Sequence, residues 1–195
     1  MKIAVIPTIR KKYDMLEISV DIRIFKLLNN IFPNKKEFFI IQKSNINDVS
    51  KANLVISLGG NCIEKGKNKE ENILRKEIEN LAFKVYSNKK IPFLGICYGA
   101  QFLAKKFKGK LSLTKGHVRK KHKISIFNKT YTVNSFHNYK IKKLNKNFEV
   151  LGKCINDDSC EAFKILNYPI YGIMWHPERN KIVNKLDKKI LRSLL

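Results

Sequence analysis

Gly95-Ile96-Cys97-Tyr98-Gly99-Ala100-Gln101 follows the apolar run Ile91-Pro92-Phe93-Leu94, which is long enough for a buried strand. Phe102, Leu103 and Ala104 come next, then Lys105 and Lys106, a pattern that fits a helix with its polar side outward. Cys97, with glycines two residues before and two after, is therefore expected on a strand-to-helix turn. Glycines at those positions remove side chains that would collide in a tight turn, and the cysteine is held up at the end of the sheet, as in a nucleophile elbow. The helix beginning there directs unpaired N–H groups and its positive dipole end at the sulfur, which favours the thiolate, the attacking species. A single cysteine after a strand is also a common small core residue. The rest of the chain decides between the two.

Upstream, Lys2–Thr8 reads as a first buried strand. From Ile18 to Phe32, apolar residues at helical spacing (Ile22, Ile24, Phe25, Leu27, Leu28, Ile31) predict a helix stopping at Pro33. Phe38–Ile41 and Leu54–Ser57 read as strands, the latter running into Leu58-Gly59-Gly60. A long amphipathic helix is predicted from about Glu70 to Tyr86, with Ile73, Ile78, Leu81, Ala82 and Val85 on its apolar side. Alternating strands and helices indicate an α/β fold with a mostly parallel central sheet flanked by helices. Ligands in such sheets bind at the carboxyl ends of strands, where both Gly59-Gly60 and Cys97 fall.

Beyond Gly109 the pattern changes to short strands. Lys123–Phe127 and Thr130–Val133 suggest a hairpin; Phe148–Leu151 and Glu161–Ile165 suggest further antiparallel strands. Tyr168–Met174 leads into Trp175-His176-Pro177-Glu178, and Lys181–Leu195 can close the chain as a helix. No linker or repeat divides residues 1–195, so one domain with a smaller antiparallel portion in its second half is expected.

The 195 residues carry a formal net charge of +24, nearly all of the excess being lysine, with only six arginines. The lysines are scattered, and arginine, the usual reader of phosphates and base edges, is scarce, so compositional drift is favoured over nucleic-acid binding. A phosphate-bearing substrate would still benefit from the field. No apolar run approaches a membrane span, and residues 1–8 lack the features of a signal peptide. Cys62, Cys97, Cys154 and Cys160 form no CxxC pair, and the histidines do not cluster with them in sequence. Reduced thiols, a cytoplasmic location, no metal and no cofactor are therefore expected.

His176 and Glu178 stand two apart at a strand end, with Pro177 stiffening the backbone between them. A carboxylate so close can orient an imidazole and stabilise its charged form. A solvent-facing His beside a surface Glu is the ordinary alternative for an isolated tripeptide. The combination is informative: an elbow cysteine, a Gly-Gly turn at a neighbouring strand end, and a late His-x-Glu.

With Gly95–Gln101, Gly172-Ile173-Met174-Trp175-His176-Pro177-Glu178 and Val133-Asn134-Ser135-Phe136-His137-Asn138-Tyr139, the sequence resembles the class I (triad-type) glutamine amidotransferases. Within them it is similar to the γ-glutamyl hydrolase branch. It departs from the usual pattern at Leu58 (for Pro), at Asn61-Cys62 (for an acidic position) and at Tyr139 (often Gln). The resemblance implies a flavodoxin-like fold in which the Cys97 thiolate attacks a γ-glutamyl carbonyl. It implies oxyanion donors at the backbone N–H groups of Gly60 and Tyr98, and His176 as acid and then base, with Glu178 orienting it. Gln101 and the Ser135–Phe136 backbone would hold the glutamyl head; His137 stays open between substrate contact and a structural role.

His117 and His122 are expected at the surface, where Arg119 and nearby lysines could receive a phosphate, and Cys62, Cys154 and Cys160 are read as structural. The substrate expected from the resemblance is a small γ-glutamyl amide, most specifically a nucleotide-linked γ-glutamyl-CDP-amidate used in capsular phosphoramidate synthesis. A glutaminase subunit delivering ammonia to a separate synthase is the alternative. A basic nucleic-acid-binding protein on an inactive scaffold is a third, disfavoured by the intact Cys97, His176 and Glu178.

Overall fold

The structure, a computed structural model, describes residues 1–64 and 66–194. Its strands are β1 (Lys2–Ile6), β2 (Thr8–Lys12), β3 (Met15–Ser19), β4 (Glu37–Ile40), β5 (Leu54–Ser57), β6 (Phe93–Ile96) and β7 (Lys110–Leu113), followed by β8 (Val118–Ile126), β9 (Lys129–Phe136), β10 (Tyr139–Lys143), β11 (Phe148–Cys154), β12 (Cys160–Ile165) and β13 (Ile170–Ile173). The helices are α1 (Arg23–Ile31), α2 (Glu70–Asn88), α3 (Tyr98–Lys106) and α4 (Lys185–Arg192). Strands β4-β1-β5-β6-β13 pair in parallel. The same sheet continues antiparallel through β12, β11, β8 and β9, with β10 and β7 branching from β12.

The parallel strands are buried on both faces and read as continuous apolar runs for that reason. Alternate residues sort to opposite sides. Ile3, Val5, Ile56, Leu94 and Ile96 pack with Ile24, Leu28, Ile190 and Leu191 of α1 and α4. Ala4, Ile6, Val55 and Phe93 pack with Ile78, Ala82, Ala100 and Leu103 of α2 and α3. Three neighbours in the parallel part, β5, β6 and β13, end on the same edge. They deliver Gly59-Gly60, Cys97 and His176 to one place.

Several boundaries differ from the sequence reading. The first strand stops at Ile6, and residues 8–19 form the separate hairpin β2–β3. The predicted helix from Ile18 therefore begins only at Arg23, with Ile22 outside it and exposed. The closing helix is likewise shorter, at Lys185–Arg192. Helix α2 is where predicted, with Ile78 and Ala82 inward as expected, but its buried side also takes in Asn72, Arg75, Glu79 and Tyr86, whereas Ile73 is exposed. The cause is an ion pair, Arg75 Nη2–Glu79 Oε1 at 2.7 Å, that is wholly inside the protein.

Candidate active site

Cys97 is at the turn between β6 and α3 with φ 51° and ψ −97°, a left-handed backbone that a non-glycine residue adopts only at a cost. The chain around it enforces the bend. Cys97 N–H donates to the Ile173 carbonyl at 2.8 Å, and Gln101 N–H closes the first helical bond on the Cys97 carbonyl at 2.9 Å. A side chain at Gly99 would run into Ser57, its Cβ coming 2.5 Å from Oγ. A Cβ at Gly95 would come 2.6 Å from the Gly99 backbone. Both glycines thus let strand, turn and helix approach closely. The first N–H groups of α3, Tyr98 first among them, have no partner within the helix and face the elbow.

His176 follows β13 and is held from both sides of its own backbone. Asn134 Oδ1 accepts from the His176 N–H at 2.8 Å, and Asn134 Nδ2 donates to the His176 carbonyl at 2.7 Å. Its Nδ1 is 2.7 Å from Glu178 Oε1. The Phe136 ring meets the imidazole edge-on at 5.5 Å and is capped on its own face by the Arg179 guanidinium at 4.4 Å. Cys97 and His176 are both almost fully covered. Burial alone would lower the imidazole pKa, but the adjoining Cys97 thiolate, through charge and a hydrogen bond, and the Glu178 carboxylate outweigh it and push it to about 9.

The Gly59-Gly60 turn touches the same pair. A Cβ on Gly59 would sit 2.6 Å from the His176 ring and 3.2 Å from Cys97 Cβ. Gly60 has φ 110°, and a Cβ there would meet the Thr8 side chain at 2.7 Å, so only glycine suits the position. The Thr8 hydroxyl donates to the Gly59 carbonyl at 2.5 Å. Because N–H and C=O of a trans peptide point oppositely, the Gly60 N–H is turned away from that hydroxyl. Asn61, which stands where an acidic residue is usual, fastens the turn to β2: its Oδ1 accepts from Ile9 N–H at 3.0 Å and its Nδ2 donates to Ile9 O at 2.9 Å.

The residues expected to hold substrate are placed unequally. Gln101 is buried and donates to the Tyr139 carbonyl at 2.8 Å. The Ser135 hydroxyl is spent on the His117 carbonyl at 2.6 Å. Phe136 lies against His176, but the His137 side chain turns to Glu161, 3.6 Å away. His117 and His122 are buried, not at the surface as expected, because alternation along β8 turns His122 inward with Ile124 and Ile126. With His137 they surround Glu161, and a thiol at Cys154 lies close to His117 and His122. These are the described residues that could hold a metal. Burial pushes the Cys160 thiol up to about 12 and raises that of Cys154. Sequence reading missed three supports. Asn134 clamps His176, Thr8 orients the Gly-Gly turn, and Arg75 donates to Ser57 Oγ and the Leu58 carbonyl at 2.8 Å each beneath that turn. Of these only Asn134 had a signal, its place inside the quoted Val133–Tyr139 segment.

The profile of the Glutamine amidotransferase class-I family matches residues 21–193, and the chain belongs to that family. It is 37% identical over 120 residues to a gamma-glutamyl-CDP-amidate hydrolase of Campylobacter jejuni, covering 60% of this chain and 58% of that protein. It is 31% identical over 135 residues to a glutamine-hydrolysing GMP synthase subunit of Methanocaldococcus jannaschii, covering 64% and 63%. The matched stretches thus span about three fifths of these relatives. A GMP synthase subunit protein of Thermoplasma acidophilum superposes with a TM-score of 0.74 at 20% identity, covering 100% of this chain and 92% of that one. A glutamine amidotransferase from Thermotoga maritima does so with 0.70 at 17%, covering 99% and 95%. The expected class of fold is therefore present. No helix among the described residues is long and apolar enough to cross a membrane.

Proposed function

We propose that the chain hydrolyses a γ-glutamyl amide through a thioester on Cys97. The observation that carries this is the Cys97–His176–Glu178 set: a cysteine at positive φ on an elbow, an imidazole charged by it, and a carboxylate 2.7 Å behind that imidazole. Cys97 Sγ attacks the γ-carbonyl carbon, and the negative charge moves to the carbonyl oxygen. The N–H groups of Tyr98 and Gly60 stabilise that oxyanion, one such donor being worth about 3 kcal/mol. As the C–N bond breaks, His176 gives its proton to the leaving nitrogen. His176 then takes a proton from water, which attacks the thioester and frees glutamate and the thiolate. Glu178 keeps the ring oriented and its charged form stable.

The substrate we favour is γ-glutamyl-CDP-amidate, with a phosphoramidate product destined for a capsular polysaccharide. The similarity to the Campylobacter jejuni hydrolase supports this, as does a groove of about 590 Å³ beside Gly60 in which Arg10 and Lys69 outnumber Glu71, Lys11 being paired with Glu70 at 3.2 Å. That charge suits a diphosphate. The second reading, a glutaminase subunit that passes ammonia to a synthase, is favoured by the likeness to the glutamine-hydrolysing GMP synthase proteins. A glutamate-release assay over glutamine, γ-glutamyl-GABA, a γ-glutamyl polyamine and γ-glutamyl-CDP-amidate separates them. Efficient release from the CDP-amidate with glutamine poor is the expected result. Silence on every derivative, with glutamine turnover appearing only when a synthase is added, would replace the hydrolase reading by the second one.

A further inference from the structure

Three of the four histidines, scattered over twenty-one residues of sequence, converge on one carboxylate in the antiparallel half. Glu161 is fully buried, and His117, His122 and His137 are each more than nine-tenths buried. His117 Nδ1 and His137 Nε2 both lie 3.6 Å from Glu161 Oε1, and His122 Nε2 lies 3.3 Å from Oε2. None of these contacts is a hydrogen bond. Among the described residues, both Glu161 oxygens, both nitrogens of His122 and of His137, and Nδ1 of His117 have no hydrogen-bond partner. Buried polar groups are ordinarily paired, and a cluster of unpaired ones calls for an explanation.

The distances supply it. A direct N–H···O bond is about 2.9 Å long. Ligand atoms on a tetrahedral zinc, each about 2.0–2.1 Å from the ion, stand about 3.3 Å from one another. The 3.6 Å separations of His117 Nδ1 and His137 Nε2 from Glu161 Oε1 are closer to those of groups sharing an ion than to those of groups sharing a proton. We infer that His117 Nδ1, His137 Nε2 and Glu161 Oε1 bind a divalent ion of the zinc class. His122 Nε2 faces the remaining Glu161 oxygen and holds the carboxylate in orientation. The other nitrogen of His117 is 3.3 Å from Asp157 Oδ2, the carboxylate–histidine arrangement that fixes the tautomer of a ligating imidazole. Lys140 and Ser159 anchor Asp157 in turn, at 2.9 and 2.7 Å.

Glu161 brings a carboxylate to the ion itself, while Asp157, paired with Lys140, supports the His117 ring. The ion would tie the β8–β9 hairpin to β12. That hairpin carries Asn134 and Phe136 to His176, and the Glu161 carbonyl accepts from Met174 N–H at 2.8 Å, two residues before His176. The ion's role is thus to hold the candidate site's wall, without touching the reacting atoms. The inference does not depend on the substrate.

The test is metal analysis of the full chain expressed with zinc, beside the Cys97→Ala variant, which removes the competing thiolate, and Glu161→Gln. About one zinc per chain is expected in wild type and in Cys97→Ala, with at least a tenfold loss in Glu161→Gln. Should Glu161→Gln fail to fold, chelator-stripped wild type titrated with cobalt(II) gives the same information without substitution. One equivalent should bind, with the intense visible bands of a tetrahedral site and a rise in melting temperature of about 5–10 °C. Wild type that stays metal-free after zinc incubation and gives no cobalt bands would overturn the proposal. So would zinc that vanishes in Cys97→Ala but persists in Glu161→Gln.

Discussion

Two buried sets of imidazole and carboxylate lie near the open end of the β8–β9 hairpin, and they are built differently. In one, His176 Nδ1 meets Glu178 Oε1 at 2.7 Å, and the ring is pushed to a pKa of about 9 by the thiolate beside it. In the other, three imidazoles stand 3.3–3.6 Å from Glu161 with no hydrogen bond among these contacts. The difference lies in what sits between the groups. At hydrogen-bond distance a carboxylate governs a proton, whereas about half an ångström further out the same pieces fit around an ion. The first set is suited to moving a proton during a reaction. The second is suited to holding two strands together while the reaction proceeds.

Separating the two sets experimentally starts with the largest effect. His176→Ala should cut kcat by at least about 10³-fold while leaving bound zinc unchanged, as steady-state kinetics and metal analysis of one preparation would show. Next, Glu178→Gln should cost about 10²-fold or more in kcat. It should also bring the His176 pKa down from about 9, because a group that favours the charged ring is removed, and NMR titration of the ring reads this directly. The sign carries over to stability. The folded value lies above the ordinary histidine value of 6.5, so protonated His176 stabilises the fold fully below pH 6.5, and that contribution disappears as pH rises through about 9. Glu161→Gln should show the converse pattern: zinc lost, melting lowered by about 5–10 °C, and kcat reduced by only about tenfold through the loosened hairpin. The smallest change is expected from Asn134→Ala, which removes two hydrogen bonds from the His176 backbone. A loss of roughly five- to tenfold in kcat with zinc retained is predicted.

The parallel part of the fold was legible because its strands are buried on both faces and appear as unbroken apolar runs such as Leu54–Ser57. The elbow was legible for a local reason, since Gly95, Cys97 and Gly99 are all needed within one turn. What stayed hidden depends on partners distant in sequence. Thr8–Ser19 carries exposed Ile18 beside lysines and glutamate, so its hairpin pairing leaves little alternation to read. The inward side of α2 was only partly legible, because Arg75 and Glu79 look polar in sequence yet pair with each other inside, Arg75 also donating to Ser57, Leu58 and Pro7. The positions of His117 and His122 were misread amid Arg119 and four lysines. The alternation Lys121-His122-Lys123-Ile124-Ser125-Ile126 did carry the signal for His122, pointing it to the same side as two buried isoleucines. Nothing in sequence spacing could bring Glu161 to them, because β12 and β8 meet only through β11.

The measurement closest to the central claim is acid-quench mass spectrometry of the wild-type protein and Cys97→Ala mixed with γ-glutamyl-CDP-amidate, with released glutamate followed in parallel. A γ-glutamyl adduct on the Cys97 peptide that forms and decays in step with glutamate release, and is absent together with that release in Cys97→Ala, is the predicted result. Glutamate release that continues unchanged in Cys97→Ala would contradict the account.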